Sequence, residues 1–153
     1  MKKILRNWEK FLIERVVPTK QELIDILRAG TEQDINIDTP KGKTKKFGGL
    51  KKVKLEFDYG EWPKLVNPAD DMGWDLIIVP SATKKEKNLL PVGYIEYKDD
   101  DETWKQVGKA KPKNIGQNTK IIIAPNEQYT NEDKQIIEKF FEKLIQFKDV
   151  VWF

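Results

Sequence analysis

Asp70, Asp71 and Asp75 fall within Asp70-Asp71-Met72-Gly73-Trp74-Asp75, directly ahead of the apolar run Leu76-Ile77-Ile78-Val79-Pro80. Carboxylates held at the mouth of a buried strand suit a hard cation such as Mg2+, which takes oxygen ligands in near-octahedral geometry. An acidic turn built from Asp and Gly is the competing and commoner reading. Two lysine series stand apart from these acids: Lys41, Lys43, Lys45, Lys46, Lys51, Lys52 and Lys54, then Lys105, Lys109, Lys111, Lys113 and Lys120. Lysines for a phosphate and carboxylates for a cation would together make a phosphate–metal site; a lysine-rich solvated surface is the alternative.

The chain of 153 residues has no cysteine and no histidine. Disulfides and thiolate metal sites are therefore excluded. So are Ser-His and Cys-His triads, since the commonest general base is missing. Catalysis has to run on carboxylates, lysines, tyrosines or a metal-bound water. The length suits one domain with a real core. A net charge of +3 argues against a dedicated nucleic-acid protein. Trp62, Trp74 and Trp104 would be the stacking residues of such a protein, but core packing is the expected role of tryptophans. No apolar run approaches the roughly 18 residues of a membrane span. The basic start, Met1 to Lys10, lacks the apolar core and cleavage site of a signal peptide, so a cytoplasmic protein with no membrane partner is expected. Self-association is left open.

The elements that must position these residues follow from periodicity. Ile4, Leu5, Trp8, Phe11, Leu12 and Val16 recur at helical spacing, and Pro18 ends that helix. Thr19-Lys20-Gln21-Glu22 is a capping box for a second helix carrying Leu23, Ile24, Ile26 and Leu27, with Gly30 as its stop. Residues 1–33 thus read as a helical hairpin. From Ile35 the period drops to two, and Val53, Leu55 and Phe57 alternate with charged residues as a half-buried strand. Further strands are expected at 76–79, near Pro91–Tyr97 and at Ile121-Ile122-Ile123. Asp99-Asp100-Asp101-Glu102 reads as a solvated loop, with substitute metal ligands as the alternative. Thr130-Asn131-Glu132-Asp133 caps an amphipathic helix with the stripe Ile136, Ile137, Phe140, Phe141, Leu144 and Ile145. A short strand, Val150 to Phe153, closes the chain. The expected fold is α+β: a small antiparallel OB-like β-barrel over 34–153 with a C-terminal helix, preceded by the hairpin.

The order of these stretches resembles the soluble Mg-dependent inorganic pyrophosphatases that form a barrel. Asp38-Thr39-Pro40-Lys41-Gly42-Lys43-Thr44-Lys45-Lys46-Phe47 is similar to that family's E-I-P-K-G-S-x-x-K-Y-E, with Lys46 at the phosphate-binding lysine and Gly48 where a metal-site glutamate belongs. Asp58-Tyr59-Gly60-Glu61-Trp62-Pro63 is similar to its N/D-Y-G-x-I-P. The acidic segment matches D-G-D-P-x-D with its middle aspartate replaced by Met72. Gln106 to Pro125 resembles P-I-G-V-L-K-M-x-D-E-x-G-x-D-x-K-I-I-A-V-P, with Lys120 at a phosphate-contacting lysine and Asn114 and Asn118 at two metal-binding aspartates. Glu138 to Lys143 is similar to the Phe-Phe-Glu helix. The resemblance covers residues 36–153 and leaves out the helical hairpin; residues 84–106 contain an insertion.

The resemblance implies a site with Asp70, Asp75 and Tyr59 as catalytic residues. Lys41, Lys46 and Lys120 would hold a diphosphate or another phosphorylated small molecule. Asp70, Asp71, Asp75, Asn114 and Asn118 would hold Mg2+, or Mn2+, weakly. In the family, metals neutralise the diphosphate and activate the attacking water. Each Asp→Asn change removes a unit of ligand charge, and methionine offers a thioether that Mg2+ does not favour. Two functions follow: metal-dependent hydrolysis of a phosphoanhydride by a pared-down site, or a catalytically silent relative that binds a phosphorylated ligand or a protein partner.

Overall fold

Apolar runs without alternation have to be covered on both faces, and Leu76-Ile77-Ile78 and Ile121-Ile122-Ile123 lie fully buried, side by side. A computed structural model describes residues 19–29, 35–46, 52–67, 72–109 and 119–153. The elements are α1 (Lys20–Ala29), β1 (Asn36–Thr39), β2 (Thr44–Lys46), β3 (Lys52–Lys54), β4 (Tyr59–Asn67), β5 (Met72–Ile78), β6 (Leu89–Tyr97), α2 (Asp101–Val107), β7 (Lys120–Pro125), α3 (Asn131–Glu142) and β8 (Phe147–Trp152). Six strands form one sheet in the order β1-β4-β5-β7-β6-β8, and β2 and β3 form a separate two-stranded sheet. The fold is α+β with a mostly antiparallel sheet.

Two features differ from the expected antiparallel barrel. No closed barrel forms among the described residues: β1 and β8 are the two edges of the six-stranded sheet. The central pair β5/β7 is parallel, with Asp75 opposite Lys120 and Ile78 opposite Ile123. A parallel pair needs a crossover, and here β6 and α2 intervene in sequence between the two strands. The first helix of the expected hairpin lies outside the described residues. The second is α1, where the Glu22 N–H donates to Thr19 Oγ1 at 3.2 Å and Ile24 is buried.

Several boundaries also moved. The strand expected through Phe57 ends at Lys54, and Leu55 and Phe57 are buried in the bend before β4. β4 was not among the expected strands, and it contains Pro63, which cannot donate to a ladder. The β4/β5 register shifts between Trp62 and Val66, and a bulge is where a strand tolerates proline. Pro91 sits at the same kind of shift in β6. Asp99–Glu102 is exposed as expected, but only Asp99 and Asp100 lie outside regular structure: Asp100 caps α2 through its carboxylate, accepting from the Thr103 N–H at 2.9 Å, and Asp101 and Glu102 fill the first turn. Negative charge there complements the helix dipole. Ile145 leaves the apolar stripe and is exposed because α3 stops at Glu142.

α3 brings Ile137, Phe140 and Phe141 into the core, with Phe57 edge-on to Phe140 at 4.9 Å. Its capping box is Thr130 with Asp133. The buried Asp133 carboxylate also accepts from the Ser81 N–H at 2.9 Å and the Ser81 hydroxyl at 2.6 Å. This fixes the turn after β5 to the start of the helix. At the sheet edge, the Val150 N–H donates to the Asp149 carboxylate at 2.8 Å, which blunts β8 against further strand pairing. No helix among the described residues is long and apolar enough to cross a membrane.

Gly60 marks the closest approach of β1 to β4. A Cβ there would collide with the Asn36 carbonyl oxygen. Gly60→Ala is expected to destabilise the fold by about 2 kcal/mol, the cost of forced overpacking. Urea unfolding of the variant measures it, and an unchanged midpoint would contradict this strand contact.

Candidate functional site

Side chains alternate along a strand, and paired residues on adjacent strands share a face. β4 and β5 pair Tyr59 with Ile77 and Glu61 with Asp75; β5 and β7 pair Asp75 with Lys120. Tyr59, Glu61, Asp75 and Lys120 therefore share one face of the sheet. Asp75 lies within β5 rather than at its mouth, because the β4/β5 pairing continues to Met72.

Lys120 is buried, only 8% exposed, at the first position of a central strand. A buried ammonium needs a counter-charge. Lys120 Nζ donates to Asp75 Oδ2 at 2.7 Å. The Tyr59 hydroxyl also bonds to the Asp75 carboxylate. Tyr59 is itself buried, and two ammonium groups approach its ring: Lys45 Nζ at 4.6 Å from the centroid and Lys120 Nζ at 5.6 Å. Lys45 pairs with Asp38 at 2.9 Å. Burial first, and then the Asp75 charge, push the Tyr59 phenol far above its ordinary value of 10.0; Asp38 and Glu61 act in the same direction. Tyr59 therefore stays protonated and acts as a donor to Asp75. It cannot serve as a base or as an anionic nucleophile.

The structure brings three of the residues expected from the sequence together: Tyr59, Asp75 and Lys120. Lys41 is elsewhere. Its N–H donates to Asp58 Oδ1 at 2.7 Å and its Nζ to the Pro80 carbonyl at 3.2 Å, beyond the far end of β5. Lys46 is exposed on the side of β2 opposite Lys45, as strand alternation requires, and it lies directly across from Lys52. Asp70, Asp71, Asn114, Asn118, Phe47 and Gly48 lie outside the described residues. Trp62, Trp74 and Trp104 are all buried and offer no face to a base.

Sequence reasoning missed Lys45, Glu61 and Asp38 as neighbours of this site. Glu61 had a usable signal, since it follows Tyr59 by two in a strand and so must share its face. Lys45 had a weaker one: only one of two adjacent lysines on β2 can face inward. Asp38 had none beyond its place in the first matched stretch.

The donor chemistry on this face is oxygen only, which suits Mg2+. Among the described residues no three carboxylates converge tightly enough to hold a metal ion. Compared with known protein families, curated proteins and solved structures, the chain matches none.

Burial also pushes Tyr97, beside this cluster, up to about 12. A phenol whose pKa is raised on folding contributes stability that is complete below the unfolded value. That contribution is lost as pH rises towards the folded value. For Tyr97 the window runs from about pH 10 to about pH 12. Thermal midpoints measured from pH 8 to 11.5 are expected to fall above pH 10, and less steeply in Tyr97→Phe. Equal slopes would show that Tyr97 titrates normally.

Proposed function

We propose that the chain is a diverged relative of the Mg-dependent inorganic pyrophosphatases. In this reading it binds a diphosphate at the Asp75–Lys120 site and hydrolyses the anhydride bond with a metal-activated water. What supports this is one observation. Tyr59, Asp75 and Lys120, drawn by the resemblance from three separate stretches, meet on one face with Lys120 Nζ 2.7 Å from Asp75. In this reading the protein is cytoplasmic.

The roles follow from the geometry. Lys120 and Lys45 are the ammonium groups that take phosphate oxygens as point charges. Tyr59 orients Asp75. Asp75 and Glu61 offer oxygens towards a cation, to be joined by Asp70 and Asp71 from the segment before β5. Bound Mg2+ would neutralise the diphosphate and acidify a water. Asp75 or Asp70 would be the carboxylate to accept a proton from such a water. The expected phosphate lysine Lys46 gives way to Lys45 in this scheme, because only Lys45 reaches the Tyr59 ring.

A second reading has a specific observation in its favour. Asp75 is already engaged by Lys120 and Tyr59, which competes with a cation for the same carboxylate. In that case the chain is a catalytically silent relative that binds a phosphorylated ligand through its lysines.

Phosphate release from inorganic diphosphate, with Mg2+ and then with Mn2+, separates the two. Metal-dependent turnover is expected in the wild type and should fall by about 100-fold or more in Asp75→Ala, the usual scale for a lost electrostatic contact in a site. No turnover with either metal would leave the silent relative as the conclusion. The alignment itself has a separate test. Met72→Asp, Asn114→Asp and Asn118→Asp together should tighten Mg2+ binding, read by calorimetry; an unchanged affinity would reject those correspondences.

A further inference from the structure

The ribbon of β2 and β3 is separate from the six-stranded sheet. Its described residues, Thr44 to Lys46 and Lys52 to Lys54, hold four lysines and no acid. Side chains alternate between the two faces of a strand. The register pairs Thr44 with Lys54, Lys45 with Val53 and Lys46 with Lys52. The inner face therefore carries Lys45 and Val53, both half-buried, and Lys45 is neutralised by Asp38 at 2.9 Å. The outer face carries Thr44, Lys46, Lys52 and Lys54, all exposed.

Left to itself, that outer face is electrostatically unfavourable. Lys46 and Lys52 lie directly opposite one another. At such a position Cβ atoms are about 5 Å apart, and like charges weaken the pairing. Lys54 follows Lys52 by two on the same side, about 7 Å along the strand. None of these three lysines has an ion pair among the described residues, whereas Lys20, Lys45, Lys120 and Lys148 each face a carboxylate. An external polyanion, with its charges strung along a line, would relieve the repulsion.

The composition of the face selects among polyanions. It has no apolar side chain to enter a lipid surface, and three lysines are fewer than the basic clusters that hold to anionic lipid by charge alone. It has no aromatic ring, so it lacks the stacking platform of a single-strand binder. Sequence-independent contact with the phosphates of a duplex needs neither. The size is also compatible: three strand residues span about 10 Å, and a major groove is about 12 Å wide. We propose that the outer face of the β2–β3 ribbon is a contact surface for the phosphate backbone of double-stranded nucleic acid, through Lys46, Lys52 and Lys54. A net charge of only +3 for the whole chain agrees with weak, salt-sensitive binding by this one patch. The patch is independent of the diphosphate reading, which uses Lys45 on the inner face.

The probe is a short, mixed-sequence DNA duplex carrying a fluorophore, read by anisotropy between about 50 and about 200 mM NaCl. Two variants remove the same charge: Lys46→Gln/Lys52→Gln/Lys54→Gln on the ribbon, and Lys84→Gln/Lys85→Gln/Lys87→Gln on the exposed loop between β5 and β6. Three phosphate contacts give a slope of about −2.7 in log affinity against log salt, or about 40-fold weakening over that range. Wild type and the loop variant are expected to show at least this slope. The ribbon variant should lose that much of it and bind about 10-fold more weakly or worse at the low-salt end. Its thermal midpoint should not fall, because a like-charge pair has been removed. Wild-type affinity in the ribbon variant overturns the proposal and leaves the lysines as guards of the ribbon's edges. Equal losses in the two variants overturn it too, since overall charge then accounts for the binding. So does a loss that comes with a fall in midpoint, since the ribbon then acts through the fold. No binding by the wild type at low salt, or tighter binding to phosphatidylglycerol vesicles or to polyglutamate, overturns it in favour of no partner, a membrane or an acidic protein. None of these outcomes bears on diphosphate turnover, so the two readings stand or fall separately.

Discussion

A lysine buried at the start of a central strand sets the terms for everything around it. Lys120 cannot keep its charge at that depth without a counter-ion, and leaving it unpaired would cost several kcal/mol. The parallel pairing of β5 with β7 answers this by placing Asp75 directly opposite. A register slip of one residue would turn Asp75 to the other face and put Trp74 or Leu76 opposite Lys120. The same pairing lines up Leu76, Ile77 and Ile78 with Ile121, Ile122 and Ile123, so the apolar core and the ion pair enforce one register between them. Tyr59 then has a fixed acceptor, and its ring has a fixed cation on it. The site is therefore anchored by the most buried part of the sheet.

Much of this could be read from the sequence where one local rule acted alone. The apolar runs and the Thr130 cap follow from periodicity and capping and appear where those rules place them, while the stripe expected to Ile145 holds within α3 only as far as Phe141. The misses came where two rules competed. β4 carries a proline, Pro63, and the bulge that admits it is set by pairing with β5, which local sequence cannot see. Asp99–Glu102 looked like a solvated charge run, when the same charges suit a helix start just as well. Parallel pairing and barrel closure are long-range properties that no local pattern encodes. At the site, the family resemblance named Tyr59, Asp75 and Lys120, and these lie on one face. The choice between Lys45 and Lys46 depended on strand phase, which a three-residue strand flanked by lysines does not declare.

The chain holds two carboxylates beside β5 in contrasting ways. Asp133 is sealed and accepts from three donors, two on Ser81 and one on Thr130, so it has little capacity left for anything outside the protein. It is a structural clamp between the turn after β5 and α3. Asp75 is about one-third exposed at its side chain and is held by Lys120 and Tyr59. A carboxylate offers about four lone-pair sites, so Asp75 keeps acceptor capacity towards the open side. Burial and satisfaction thus separate a carboxylate that only holds the fold from one that is oriented by the fold and still available.

The charge around Tyr59 bears on which functional reading is physically easier. Two ammonium groups, Lys45 and Lys120, sit among three carboxylates, Asp38, Glu61 and Asp75. Both lysines are already paired. A diphosphate arriving alone would meet a face whose described charges sum to slightly negative, and like charges at close range repel. A divalent cation reverses that balance, since it can bind carboxylate oxygens and phosphate oxygens at once. Anion binding through lysines alone would instead require Lys120 to loosen its hold on Asp75, exposing a buried pair to rearrangement. If the ligand is a phosphate, as proposed, the charges of the face suit one that enters together with a divalent cation better than one that enters alone.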